Sequence, residues 1–205
     1  MDDLDLASRL GPPPDSLNTF RLETPRLVMA RTEEADALSM FNLLSGPDRD
    51  AIVATLRWDG PDSYEEFAAF TLAAADAQYA SGGFHWSIRD RTGELSGTEG
   101  QAIGHIGTRP LMPGRGDVGY WLGRPYWGWG LMTEALSAVR DLAFERLNLA
   151  KLEAEVFADN AAGNRLVERV GMIGEGVVRR YMFKQDRWID ANRYGMLYEE
   201  WLAAR

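Results

Sequence analysis

Between Gly119 and Ala135 the chain reads Gly-Tyr-Trp-Leu-Gly-Arg-Pro-Tyr-Trp-Gly-Trp-Gly-Leu-Met-Thr-Glu-Ala, and this stretch limits the available folds more than any other. Val118 to Leu122 is an alternating apolar run that stops at Gly123. After a turn carrying Gly128 and Gly130, the residues Leu131, Ala135, Leu136, Val139, Leu142, Ala143 and Phe144 recur at helical spacing. The reading is a strand, a glycine turn and a helix start. Free N–H groups at a helix N-terminus attract anions, and glycine removes the Cβ atoms that would hold an anion off. The stretch is therefore a candidate phosphate cradle, although a strand-to-helix turn without a ligand has the same pattern. Neither nucleotide fingerprint fits. G-x-G-x-x-G would need glycine where Thr133 stands, and no Gly-Lys-Ser/Thr follows the glycines.

The flanking segments read, in order, as strand, two helices, a strand meander, the cradle helix, strand, helix and final strands. Phe20–Leu22 and Arg26–Ala30 flank Thr24-Pro25 as one kinked first strand. Thr32 is expected to cap a helix with Leu38, Phe41 and Leu44 on its apolar side. Asp62-Ser-Tyr-Glu65 opens a second helix, with Phe67, Phe70, Leu72 and Ala75 inward. Strands follow at 84–88, 102–108, 118–122, 151–157, 177–183 and 193–198, with a short helix near Ala162 to Val170. Residues 1–18, acidic and then broken by Pro12 to Pro14, are expected to form an arm outside a single domain over 19–205.

Bulk properties narrow the function. With 205 residues and 45% apolar content the chain can bury one sizeable core. A net charge of −9 opposes duplex nucleic acid and favours cationic or amine substrates. Cysteine is absent and the two histidines are far apart, which removes thiol nucleophiles and speaks against a metal site. No apolar run approaches the roughly 20 residues of a membrane span, so the expectation is a cytoplasmic protein without membrane contact.

The element order, with Tyr126-Trp-Gly-Trp-Gly-Leu-Met-Thr-Glu-Ala135 at its centre, resembles the GNAT N-acyltransferases, and within them the RimJ/RimL-like branch. Leu22-Glu-Thr-Pro-Arg-Leu27 resembles the branch's first strand, and Asn160-Ala-Ala-Gly-Asn-Arg-Leu-Val-Glu-Arg-Val-Gly-Met172 its asparagine-led helix. The resemblance implies an α/β (α+β) fold of the GNAT type. Its central sheet would be mixed and mostly antiparallel, with six to seven strands flanked by about four helices, splayed between the strands before and after the cradle helix. It implies acetyl-CoA as co-substrate, no metal, and transfer to a primary amine of a peptide N-terminus or small molecule. Homodimers are frequent among such proteins, and a homodimer is the expectation taken from them.

By the same resemblance, main chain at Trp121 and Leu122 would pair with the pantetheine arm, and Trp127, Gly128, Trp129, Gly130, Leu131, Met132 and Thr133 would cradle the pyrophosphate. Asn160 would bond the arm and Arg165 would approach the nucleotide end. Trp58 and Trp86 are candidates for the acceptor pocket. The chain departs from the branch where Gly163 replaces a serine and Met182 stands near a glutamate position, which removes two proton-handling side chains. Tyr120, Glu155 and Tyr181 are the remaining candidates, with packed aromatics and a solvated strand charge as the plainer alternatives. Glu153 and Asp117, like Glu155, are read first as solvated strand charges, and His85 and His105 as satisfied core or surface histidines. Two rival functions stay open: a CoA-binding module without turnover, and a transferase for a longer or charged acyl group such as succinyl.

Overall fold

A computed structural model describes Leu17 and residues 19–205. One eight-stranded sheet runs through the molecule in the order β1-β2-β3-β4-β5-β6-β8-β7. Its strands are β1 (Arg21–Glu23), β2 (Leu27–Arg31), β3 (Phe84–Asp90), β4 (Ala102–Met112), β5 (Arg115–Leu122), β6 (Lys151–Phe157), β7 (Ile173–Lys184) and β8 (Arg187–Leu197). The helices are α1 (Glu34–Ser45), α2 (Arg49–Val53), α3 (Tyr64–Ala80), α4 (Leu131–Glu145), α5 (Ala161–Arg169) and α6 (Tyr198–Ala203). Every neighbouring pair is antiparallel except β5 and β6.

This is the expected mixed, mostly antiparallel sheet, with differences of detail. The Thr24-Pro25 kink is a full turn, closed by Thr24 N–H donating to the Leu27 carbonyl at 2.9 Å, so the first strand divides into the paired β1 and β2. The short helices α2 and α6 had no legible period, because five or six residues barely exceed one turn. Leu17, assigned to the arm, is 2% exposed and belongs to the core; the rest of the arm lies outside the described residues.

The sheet has two covered faces. On one, α4, α5 and α6 pack against Trp86, Ile88, Ile106, Val118, Leu122, Leu152 and Ala154. All seven apolar α4 residues read from sequence are buried there. On the other, α1, α2 and α3 enclose Ala37, Met40, Leu44, Ile52, Leu56 and Phe67. The buried stripe of α1 runs through Ala37 and Met40, and Leu38 is left 52% exposed. The reason is the start of the helix: Glu33 is the N-cap, boxed with Asp36, which Arg89 holds through two bonds of 2.8 and 2.6 Å. Thr32 is instead buried and bonded to the His85 carbonyl.

A buried lysine ties the C-terminal hairpin to the second layer. Lys184 Nζ donates to the carbonyls of Val53, Leu56 and Trp58 at 3.0, 2.9 and 2.6 Å, with Asp59 Oδ1 at 3.3 Å. It thereby sets the loop after α2. Removing the ammonium would strand three carbonyls with little access to water, a loss of roughly 2–4 kcal/mol. Lys184→Met is expected to lower the urea midpoint of unfolding accordingly, measured against the wild type at pH 7.

Candidate active site

The site begins where the sheet comes apart. β5 and β6 pair over three positions only, Arg115↔Lys151, Gly116↔Leu152 and Asp117↔Glu153, and then separate. Gly123 N–H donates to the Ile103 carbonyl across β4, so alternation along an antiparallel pair turns Trp121 toward β4 as well. The groups directed at the gap are those of Tyr120 and Leu122. The same rule applied to Ala158 N–H, which donates to the Asp190 carbonyl, points the main chain of Glu155 and Phe157 into the gap from β6. Two strand edges thus face each other without a ladder between them. A groove of about 770 Å³ occupies the opening and reaches both faces of the sheet, a size suited to a substantial organic ligand.

At one end of the groove lies the glycine turn. Gly128 and Gly130 have φ of 82° and 74°, the left-handed region that favours glycine. A Cβ on Gly128 would meet nothing within 4 Å, and one on Gly130 only Arg26 Nη2 at 3.9 Å, so packing does not require the glycines while an incoming group could use the room. The first bond inside α4 is Glu134 N–H to the Gly130 carbonyl, which leaves the N–H groups of Leu131, Met132 and Thr133 at the open helix start. The Leu131 side chain is buried, and Trp129 is 66% exposed. Trp127 is wedged inward, with its Nε1 donating to the Leu122 carbonyl at 2.8 Å.

The turn is strapped from outside by the first hairpin. Glu134 accepts from Thr24 Oγ1 at 2.6 Å, from Arg26 N–H at 3.0 Å and from Arg26 Nε at 2.7 Å, while Arg26 Nη1 donates to the Trp129 carbonyl at 2.9 Å. Burial raises the Glu134 pKa, but these bonds outweigh it and hold the carboxyl below its ordinary value. The strap joins residues 110 apart, so local spacing does not announce it.

The asparagine-led helix borders the groove. Asn160 caps α5 by accepting from Gly163 N–H at 2.9 Å, and Arg165 is exposed on the lining. A Cβ on Gly163 would come within 2.6 Å of Asn160 Nδ2 and 2.9 Å of Val156 Cγ1. This chain therefore fills, with its own cap, the room a serine would need.

On the face covered by α1 to α3, the structure brings together two of the three proposed proton-handling residues. Tyr181 Oη donates to Glu155 Oε2 at 2.8 Å; Glu155 also accepts from Arg193 at 2.6 Å and from Arg57 at 3.2 Å. Burial raises the Glu155 pKa, yet Arg193, Tyr181 and Arg57 more than reverse this and keep it below the usual range. Burial, then the bond to Glu155, pushes the Tyr181 phenol up to about 12. The solvated-charge alternative fails for all three strand acids: Glu155 and Asp117 are mostly covered and bound to arginine, and Glu153 is buried against Arg115 and Lys151. A register shift in β7 between Val178 and Met182, with Arg180 at φ 51°, aims Tyr181 inward, a feature that strand alternation does not announce.

Tyr120 stands apart. It projects from the opposite face of β5, with its Oη buried and without a hydrogen-bond partner among the described residues, and burial moves its pKa far upward. The rings of His85 and His105 lie with centroids 3.8 Å apart, tilted by 42°, on the α1–α3 side. Burial lowers the His85 pKa to about 4, and burial with the His85 charge lowers that of His105, so both are neutral at pH 7. Trp58 lines the groove, stacked on Phe67. Trp86 does not. It is 1% exposed and lies in the other core against Phe84, with centroids 3.9 Å apart, because β3 alternation sends Phe84, Trp86 and Ile88 toward α4. Its substrate-binding assignment is corrected accordingly.

Comparison with known proteins agrees with this geometry. Residues 26–173 match the acetyltransferase (GNAT) domain family. The chain is 31% identical over 179 residues to the uncharacterized N-acetyltransferase YoaA of Bacillus subtilis, covering 86% of this chain and 96% of that protein. It is 27% identical over 103 residues to the ribosomal-protein-serine acetyltransferase of Escherichia coli, covering 49% of this chain and 58% of that one. Among solved structures, the ribosomal L7/L12 alpha-N-protein acetyltransferase RimL in complex with coenzyme A superposes with a TM-score of 0.75 at 17% identity, over 87% of this chain and 98% of that one. The chain belongs to the acetyltransferase (GNAT) family and is an acetyltransferase. Among the described residues no helix is long and apolar enough to cross a membrane.

The depressed pKa of Glu155 has a consequence for stability. Its carboxylate favours the folded state above the unfolded value of about 4.3, and that contribution is lost as pH falls through the lower folded value. Glu155→Gln is expected to be less stable than the wild type at pH 7, with the difference shrinking by pH 3. Urea midpoints at the two pH values measure this.

Proposed function

We propose that the chain transfers an acetyl group from acetyl-CoA to a primary amine by direct attack in a ternary complex. The observation that carries the reading is the opening between β5 and β6 beside the left-handed glycines at the start of α4. The donor supplies an activated thioester. Gly128, Gly130 and the N–H groups of Leu131, Met132 and Thr133 hold its pyrophosphate, with Trp127 and Trp129 shaping the turn. Main chain of Tyr120 with the N–H of Leu122 on one side, and main chain of Glu155 with the N–H of Phe157 on the other, holds the arm as an added strand would be held, the carbonyls of Leu122 and Phe157 being bonded already within the chain. Asn160 and Arg165 border the arm and the nucleotide end.

The amine approaches from the α1–α3 side, past Trp58. Attack needs a neutral nitrogen. An α-amine of pKa about 7.8 costs only about 1 kcal/mol to deprotonate at pH 7, whereas a lysine near 10.4 costs about 4.6. Glu155, held ionised by two arginines, is a weak base and orients an ammonium rather than strips it. Solvent takes the proton. As the C–S bond breaks, Tyr181, a weak acid that keeps its proton to high pH, passes a proton to the departing thiolate and regains one from the nitrogen, which loses it as the amide forms; Tyr120, on the other face, is a second candidate for this relay. Alignment of amine and thioester supplies roughly 7–11 kcal/mol of the required lowering.

The reading of a CoA-binding module without turnover rests on Gly163 and Met182. The Tyr181–Glu155 pair favours turnover, since it offers proton handling from other positions. Thiol release from acetyl-CoA and succinyl-CoA across peptides, polyamines and aminoglycosides tests the alternatives. Acceptor-dependent release with acetyl-CoA is expected; CoA binding with no release on any amine would overturn the transferase. Gly130→Val is expected to weaken CoA binding more than tenfold by calorimetry in a folded protein. Unchanged affinity would reject the cradle.

A further inference from the structure

Gly119 is a glycine for which the fold gives no reason. It lies in the interior of β5, paired with Gly107 of β4, which in turn pairs with His85 of β3. Gly107 is explained by packing: a Cβ there would stand 2.6 Å from the Phe84 carbonyl oxygen and 3.2 Å from Gln78 Oε1. Gly119 is not. Its φ is outside the left-handed region, and a Cβ built on it meets nothing within 4 Å. Glycine inside a strand weakens it by roughly 0.5–1 kcal/mol relative to alanine, and a bare position of this kind marks close approach by another group.

The surroundings say what approaches. Gly119 lines the groove on the α1–α3 face. Along β5 it is flanked by Asp117, bound to Arg109 at 2.6 Å, and by Trp121. Across the unpaired gap stand Glu155 and Tyr181. The patch is thus a shallow trough, bounded by a carboxylate pair and an aromatic wall, beside the place where β5 and β6 part.

Resting on the transferase reading above, we infer that Gly119 is a specificity-determining residue of the acceptor site: the room left by its missing side chain receives the substituents on the carbon that bears the attacking nitrogen. A methyl or isopropyl group at this position would fill that room without touching the pyrophosphate cradle. Acceptors branched at the amine-bearing carbon would be excluded first, and unbranched amines would be least affected.

The test uses the full chain with Gly119→Ala and Gly119→Val. Thermal midpoints are expected to be equal to or above that of the wild type, and the calorimetric Kd for CoA to change less than twofold. KM for amines branched at the carbon next to nitrogen is expected to rise at least tenfold in Gly119→Val, with a smaller rise in Gly119→Ala. For unbranched primary amines the rise should stay below threefold. Equal KM changes for the two amine classes, or none, would overturn the assignment while leaving the transferase intact. Loss of CoA binding in Gly119→Val would also overturn it, by placing the residue on the donor path. A wild type that binds CoA but releases no thiol with any amine would overturn both readings.

Discussion

The structure depends on a sheet that is interrupted without being broken. Backbone N–H and C=O groups inside a protein need partners, and a parallel pair normally finds them along its whole length. Here β5 and β6 share three residue pairs and then diverge. The sheet survives because β4 continues to hold β5 and β8 continues to hold β6, each over seven or more registered positions. The strand edges at Tyr120, Leu122, Glu155 and Phe157 face each other across the gap, the carbonyls of Leu122 and Phe157 held by side chain and cap, and it is this opening that the proposed function fills with an extended ligand. The connection from β5 to β6 runs through α4, so the helix start is delivered to the mouth of the same opening.

The opening hairpin contributes to that delivery. Thr24 and Arg26 converge on Glu134, and Arg26 also holds the Trp129 carbonyl. A carboxylate one turn into a helix would repel an anion bound at the helix start. Pairing it with a guanidinium offsets that charge and fixes the glycine turn from behind. Two of the three sequence blocks that carried the family resemblance, 22–27 and 126–135, are therefore in contact.

What could be read from the chain follows from how local each signal is. The α4 face, the glycine turn and the strand positions were legible because their causes lie within a few residues. The α1 stripe was misplaced by one position at Leu38 and Phe41, though not at Leu44, because its start is set by Asp36 pairing with Arg89, far along the chain. Trp86 looked like a pocket residue because an aromatic on an alternating strand reads the same from either face; only the helices packed on each side decide. Tyr181 reaches Glu155 through a register shift in β7, and the partner of Lys184 is a loop about 130 residues away. Neither leaves a mark on spacing.

The three carbonyls around Lys184 have a chemical corollary. Of the chain's 22 basic residues only two are lysines. One is locked under the α2 loop, and the other, Lys151, is bridged to Glu153 and Glu175. The remaining twenty are arginines, which keep their protons in any ordinary buffer. If the chain holds an activated acyl group as proposed, it has placed almost no side-chain amine where it could be the one acylated, and self-labelling has little to act on.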